Sequence, residues 1–247
     1  MRVQVAAELP RTGSASLAGL LTWMLPVAAV LVPLASSSAF VDSVELPKLC
    51  LLKLGLGLAL VLLASRASVD LRLLRVPIAR AALLFLGVNV LATITSVEPR
   101  TSLMGKYQQD QGLLSLGVMI GYLFLAASWV RTEAAFARVA LGFGLAASLA
   151  SIYAIGQQFG LDPLSTSALI DDNRLATAMF GHPNSLGEFL ALTIPITAWR
   201  SRGLERDLSL WGLGAQLVAL FLTQARTAWL VVLVQLLLVG PPRLYKL

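Results

Sequence analysis

Residues 208–240 read LSLWGLGAQLVALFLTQARTAWLVVLVQLLLVG, and what they form decides the fold. As one continuous helix this run would extend about 50 Å. A bilayer hydrocarbon core is about 30 Å thick and is crossed by about 20 apolar residues in helix. The run is therefore too long for one crossing, even a tilted one. Its polar interruption is Gln224-Ala225-Arg226-Thr227. The reading is a helical hairpin, with helices near 208–223 and 227–240, that turns without a glycine or proline at the break.

The same ruler, applied outward, finds further apolar stretches near 16–35, 46–64, 77–96, 112–130, 139–158 and 185–199. Only helices and closed barrels satisfy their own backbone in lipid, so each stretch is read as a helix. Composition agrees. The 247 residues are 57% hydrophobic and 13% charged, with a mean hydropathy of +0.79. A soluble domain carries roughly twice that share of charge. The expectation is an all-α integral membrane protein with about eight transmembrane helices in one multi-pass domain spanning 1–247. A cleaved signal peptide competes for the first run, but that run is long and no small-residue cleavage pattern follows it closely.

The net charge of +6 would suggest nucleic acid in a soluble protein. Here the cations sit in short connectors, so their meaning is topological and no nucleic-acid partner is expected. One set of connectors holds Arg2, Arg11, Arg66, Arg72, Arg75, Arg80, Arg131, Arg138, Arg200, Arg202, Arg206, Arg243 and Lys246. The alternate set holds Lys48, Arg100, Lys106, Arg174 and Arg226. The bias alternates across all eight segments, which puts both termini in the cytoplasm. The outer connectors carry most of the acid: Asp42, Glu45, Glu98, Asp110, Asp162, Asp171, Asp172 and Glu188. Cys50 is the single cysteine, so no disulfide within the chain is possible.

Four polar clusters fall on the outer side. Glu98 to Gly112 mixes Arg100 and Lys106 with amides and Tyr107, a set able to hold a phosphate or sugar; a solvated loop is the alternative. Asp171-Asp172-Asn173-Arg174 leads into Phe180-Gly181-His182-Pro183-Asn184-Ser185-Leu186-Gly187-Glu188. Pro183 suits a helix start, and Asn184 or Ser185 is expected to cap it. Asn184 and Glu188 lie four apart and share a helix face. An ionisable group one turn into an apolar segment is costly and suggests function, with snorkelling as the bland alternative. His182, the only histidine, has no second histidine or nearby cysteine for a metal. It is either a general base or a packing residue. Arg226 is flanked by apolar sequence, so it pairs, faces a polar cavity or snorkels to headgroups. A diphosphate would suit its guanidinium.

In this order the clusters resemble the O-antigen ligase and polymerase superfamily of bacterial envelope polysaccharide enzymes. Four matches over about 190 residues carry the resemblance. They are Val44-Glu45-Leu46-Pro47-Lys48, Ser102-Leu103-Met104-Gly105-Lys106-Tyr107 with Gln111-Gly112-Leu113, Arg174 with Met179 to Leu190, and Leu222-Thr223-Gln224-Ala225-Arg226-Thr227-Ala228-Trp229-Leu230. The resemblance implies transfer of a glycan from undecaprenyl diphosphate to a glycan, lipid or protein acceptor, outside the bacterial cytoplasmic membrane and without metal or nucleotide cofactor. It also implies that Arg174 and Arg226 bind the diphosphate, that Lys106 and Arg100 assist, and that Asn184 and Glu188 shape the site. His182 stands where the family often has Asn, and Ala225 and Thr227 replace the usual Ser and Gly beside the arginine. Family members continue with a large outer loop bearing a catalytic histidine. The chain is thus expected to be the front part of a longer architecture, completed by a second chain or inactive. A non-catalytic subunit that binds a lipid-linked glycan is one alternative. A transporter lined by Glu188 and Arg226 is another, though no paired halves are visible.

Overall fold

The computed structural model describes residues 12–37, 44–64, 76–106, 112–162, 175–201 and 206–239. Among these residues there are helices and no strands. In chain order they are α1 (Thr12–Leu34), α2 (Glu45–Ala64), α3 (Pro77–Ile94), α4 (Pro99–Met104), α5 (Leu113–Trp129), α6 (Glu133–Gln158), α7 (Pro183–Arg200), α8 (Arg206–Leu222) and α9 (Arg226–Val239). A 3-10 turn, Ala178–Phe180, precedes α7. Each of the eight apolar stretches falls on one helix. The ninth helix, α4, is a six-residue turn inside the 98–112 connector.

The local sequence explains where the helices begin. Val76 is extended (φ −74°, ψ 130°) and Pro77 follows as the first helical residue of α3. Proline restricts its predecessor to that region and lacks only an N–H that would have no helical partner. Thr132 caps α6, its Oγ1 accepting from the Ala135 N–H at 3.1 Å. The α8–α9 turn, which lacks glycine and proline, is made by Gln224 at φ +53°. Thr223 Oγ1 donates to Leu220 O at 2.8 Å and accepts from the Ala225 N–H at 3.2 Å. Trp229 Nε1 also donates to Leu220 O, at 3.0 Å. A carbonyl in the last turn of α8, which has no helical donor, is thus satisfied by two side chains.

α6 is the centre, packed by α1, α7 and α8. Its buried residues are Ala140, Gly142, Gly144, Ala146, Ala147, Ala150, Ser151 and Ala154, all small. A Cβ on Gly142 would lie 2.5 Å from Pro26 O of α1. Small residues let helix backbones approach closely, the device used where lipid removes the hydrophobic drive between helices. On the other side of α7, a Cβ on Gly187 would lie 2.7 Å from Ala225 Cβ and 3.1 Å from Ala228 Cβ. Leu186, Leu190 and Ile194 fill the space between these contacts and α8.

The outer surface of the bundle is apolar. On α3 only Ala79 is buried, while Leu84, Phe85, Val88, Leu91 and Ile94 are exposed. Within this apolar stretch Asn89 and Thr93 turn back on their own helix: Asn89 Nδ2 donates to Phe85 O and Thr93 Oγ1 to Asn89 O, both at 2.8 Å. That is the arrangement a hydrocarbon medium demands. α3 and α6 are long and apolar enough to cross a membrane. α5, α8 and α9 are apolar but shorter, at 17, 17 and 14 residues. Among the described residues, the crossing expected of all eight helices is thus met in length and composition by two. Replacing Gly187 with Val is expected to overpack the α7–α9 contact and cost about 1–3 kcal/mol. Thermal unfolding in detergent should show a lowered midpoint for Gly187→Val, and a smaller drop for Gly187→Ala.

Candidate functional site

Two of the four polar sequence clusters, the one around His182 and Glu188 and the one around Arg226, meet where α6 ends and α7 and α9 begin. Gln157, at the end of α6, accepts at Oε1 from the N–H groups of Thr177 (3.2 Å) and Ala178 (2.9 Å). Ala178 is wholly buried and left-handed at φ +45°. Such a conformation costs a non-glycine residue about 1–3 kcal/mol and persists only when its surroundings hold it. Lys48, from the start of α2, supplies a second hold. Its Nζ donates to Met179 O at 2.8 Å and lies 4.2 Å from the centre of the Phe180 ring. The Phe180 and Phe189 rings then pack at 4.9 Å, tying the 3-10 turn to α7.

α7 begins immediately after this turn. Its cap is His182, whose Nδ1 accepts from the Asn184 N–H at 3.1 Å. The cap expected from Asn184 or Ser185 is therefore made two residues before Asn184, by His182. Pro183 must open the helix at its first position, and that leaves the residue before it, in extended conformation, to do the capping. Asn184 and Glu188 are both exposed, one turn apart on α7. Among the described residues, no hydrogen bond or ion pair engages the Glu188 carboxylate.

The Gly187 contact brings this end of α7 against the α8–α9 turn. Arg226 is the first residue of α9, at a helix end rather than within a helix. It is exposed and has no hydrogen-bond or ion-pair partner among the described residues. It borders an open cavity of about 360 Å³ with Gln158, Phe221, Leu222, Gln224 and Trp229. The rings of Phe221 and Trp229 stack at 5.6 Å with an interplanar angle of 2°. A helix N-terminus presents positive potential and N–H donors. A guanidinium at the same point adds to that potential, and the amides of Gln158 and Gln224 add donors. The combined character suits an anion.

Arg100 and Lys106 lie elsewhere, on α4 and just beyond it, and both are exposed. α4 packs on α5 and α3, so the described contacts leave these cations in a separate group from Arg226. Their corner is closed by its own polar groups: Ser96 and Ser102 hydroxyls meet at 2.7 Å, and Thr101 Oγ1 donates to Glu98 at 3.0 Å. The glycine spacing there has a steric cause. Gly105 has φ +94°, and a Cβ on Gly112 would lie 2.3 Å from Gly105 N. Arg174 lies outside the described residues. Sequence reasoning missed Gln157 and Gln158, because glutamines at a helix end carry no motif.

Comparison with family models, with curated proteins and with solved structures gives no match. The geometry at His182 makes a direct prediction. His182→Ala should lower stability by about 1 kcal/mol through loss of the cap, whereas His182→Asn, a strong capping residue, should restore it. Paired thermal unfolding of the two variants checks this. Equal loss in both would show that the imidazole serves something other than capping.

Proposed function

We propose that the chain is a multi-pass protein of the bacterial cytoplasmic membrane, with both termini inside, that holds the diphosphate of an undecaprenyl-linked glycan at its outer end. The observation that carries this reading is Arg226 at the N-terminus of α9, without a counter-charge among the described residues, at the mouth of a cavity whose other polar groups are amides. A diphosphate supplies the missing charge and accepts the bidentate contacts that a guanidinium offers. Glu188 and Asn184 stand beside it across the Gly187 contact and would orient the donor or the incoming acceptor. Arg174 would add to the cradle, with Lys106 and Arg100 engaging a more distant part of the donor or acceptor. The four motif matches to O-antigen ligases and polymerases support the same class of donor.

In glycan transfer an acceptor hydroxyl attacks the anomeric carbon, and the bond from that carbon to the diphosphate oxygen breaks. The electron pair leaves with undecaprenyl diphosphate, and the acceptor proton passes to a base. Arg226 would stabilise the charge growing on the leaving group, an effect strongest when the donors are fixed in advance and shielded from water. No metal or nucleotide enters this scheme. A second reading, a subunit that binds the lipid-linked glycan without transferring it, is favoured by the capping role of His182. The single histidine of the chain spends its Nδ1 on a backbone N–H.

The diphosphate reading is tested by binding undecaprenyl diphosphate to the protein in nanodiscs. Arg226→Ala is expected to weaken binding about ten- to a hundredfold, the range for losing a hydrogen bond to a charged group, and Arg226→Lys to weaken it less. Unchanged affinity in Arg226→Ala would sink the assignment. Transfer assayed beside binding separates the two readings, since a binding subunit retains affinity and shows no turnover. The topology makes its own prediction. In a Cys50→Ser background, a cysteine at Arg100 should react with an impermeant maleimide on intact cells and one at Arg131 should not.

A further inference from the structure

A second concavity, sharing no lining residue with the one at Arg226, lies along the seam between α6 and α8. It has a volume of about 340 Å³ and runs along α6 from Leu141 to Ile152, with Arg200 at the end of α7 among its lining residues. Those eleven steps of helix span about 17 Å. One leaflet of a bilayer contributes about 15 Å of hydrocarbon, half of the core. The rim is formed by Leu145, Ile152 and Trp211, all exposed, and Trp211 is 80% exposed.

The polar groups beneath the groove are spent on one another. Ser148 Oγ donates to Gly144 O at 2.8 Å. Gln216, fully buried, donates from Nε2 to Thr197 Oγ1 at 3.0 Å and to Ser148 Oγ at 3.4 Å. A Cβ on Gly212 would lie 2.5 Å from Ser148 Oγ, so α8 sits close on this floor. With Ser148, Thr197 and Gln216 satisfied internally, the floor of the groove offers mainly hydrocarbon contact, and Ser209 is the remaining hydroxyl in its lining. Arg200 is held in place, its Nη1 donating to Ala137 O at 2.9 Å. In sequence it is followed by Arg202 and Arg206 against Glu205 and Asp207, which leaves this end with a net positive charge.

We propose that this groove holds one acyl chain of an anionic phospholipid from the leaflet on the Arg200 side, with the headgroup phosphate at that guanidinium. The leaflet-deep length and the mainly apolar lining select an acyl chain. The basic end selects a negative headgroup, because each cation near the membrane surface adds favourable interaction with anionic lipid. The site rests on the membrane reading above and is independent of the diphosphate reading at Arg226.

Native mass spectrometry of the detergent-purified full chain, titrated with phosphatidylglycerol and phosphatidylethanolamine of matched chains, tests it. The wild type should prefer phosphatidylglycerol by about fivefold, and the preference should shrink as salt is raised. Arg200→Gln should bring the ratio near one while chain binding persists. Ala215→Phe, which fills the groove, should abolish binding of both lipids at unchanged helical circular dichroism. Equal binding of the two lipids by the wild type, or undiminished binding by Ala215→Phe, overturns the proposal. Recovery of the chain from the soluble fraction would overturn the membrane reading and this site together. A membrane-embedded chain without headgroup preference overturns this site alone.

Discussion

The approach of α7 to the α8–α9 turn at Gly187 is the contact on which the candidate site depends. With no side chain at Gly187, Ala225 and Ala228 can sit where a Cβ would otherwise be. That closeness sets the start of α7, with Asn184 and Glu188, beside the start of α9, with Arg226. The two polar clusters are about forty residues apart in the chain. Their contiguity comes from the absence of one methyl group. The same logic runs through the bundle, where Gly142 meets α1 and the buried face of α6 is made of Gly, Ala and Ser. Dispersion between closely packed backbones accumulates over many such contacts, and it remains available where the surroundings are as apolar as the helices.

A close-packed bundle still leaves its connectors to be ordered. At the Arg226 end this falls to side chains with long reach. Gln157 takes two consecutive N–H groups, and Lys48 takes a carbonyl and lies against the Phe180 ring. Together they hold Ala178 in a left-handed conformation that an alanine would otherwise avoid. The polypeptide therefore reaches Pro183 along a fixed path, and His182 arrives in the extended conformation that a cap requires. The Pro-Lys pair at Pro47-Lys48 acquires a physical reason: its lysine braces the turn that starts α7.

Most of the helix content was legible because apolar runs of fixed length leave the backbone no alternative. The hairpin of residues 208–240 was legible from length alone. How it turns was not, since nothing in Gln224 advertises a positive φ, and the stabilising partner of Leu220 O is a tryptophan nine residues away. The cap of α7 was assigned to Asn184 or Ser185 by propensity, yet the position of Pro183 outweighed propensity and gave it to His182. Arg226 was read as flanked by apolar sequence; in space it opens a helix beside two glutamines as well as the rings of Phe221 and Trp229. The grouping of Arg100 and Lys106 with Arg226 came from the family resemblance together with their expected shared side. Side is a coarser property than neighbourhood, and α4 docks on α3 and α5 instead.

The position of Arg226 bears on what the cavity beside it is for. A cation at a helix N-terminus opposes the helix dipole, where an acidic residue would be favourable by roughly 0.3–1 kcal/mol. Structural economy alone would place Asp or Glu there, and a proline or a small residue would serve the turn. The chain instead sets an arginine at that point, and no carboxylate among the described residues neutralises it. Stacked Phe221 and Trp229 rings lie along one side of the cavity and give it an apolar wall beside the exposed guanidinium. A cation set against the helix dipole without a counter-charge is less favourable in the empty protein than in one with an anion bound. That difference is binding energy. It is largest for a ligand carrying more than one negative charge, as a diphosphate does.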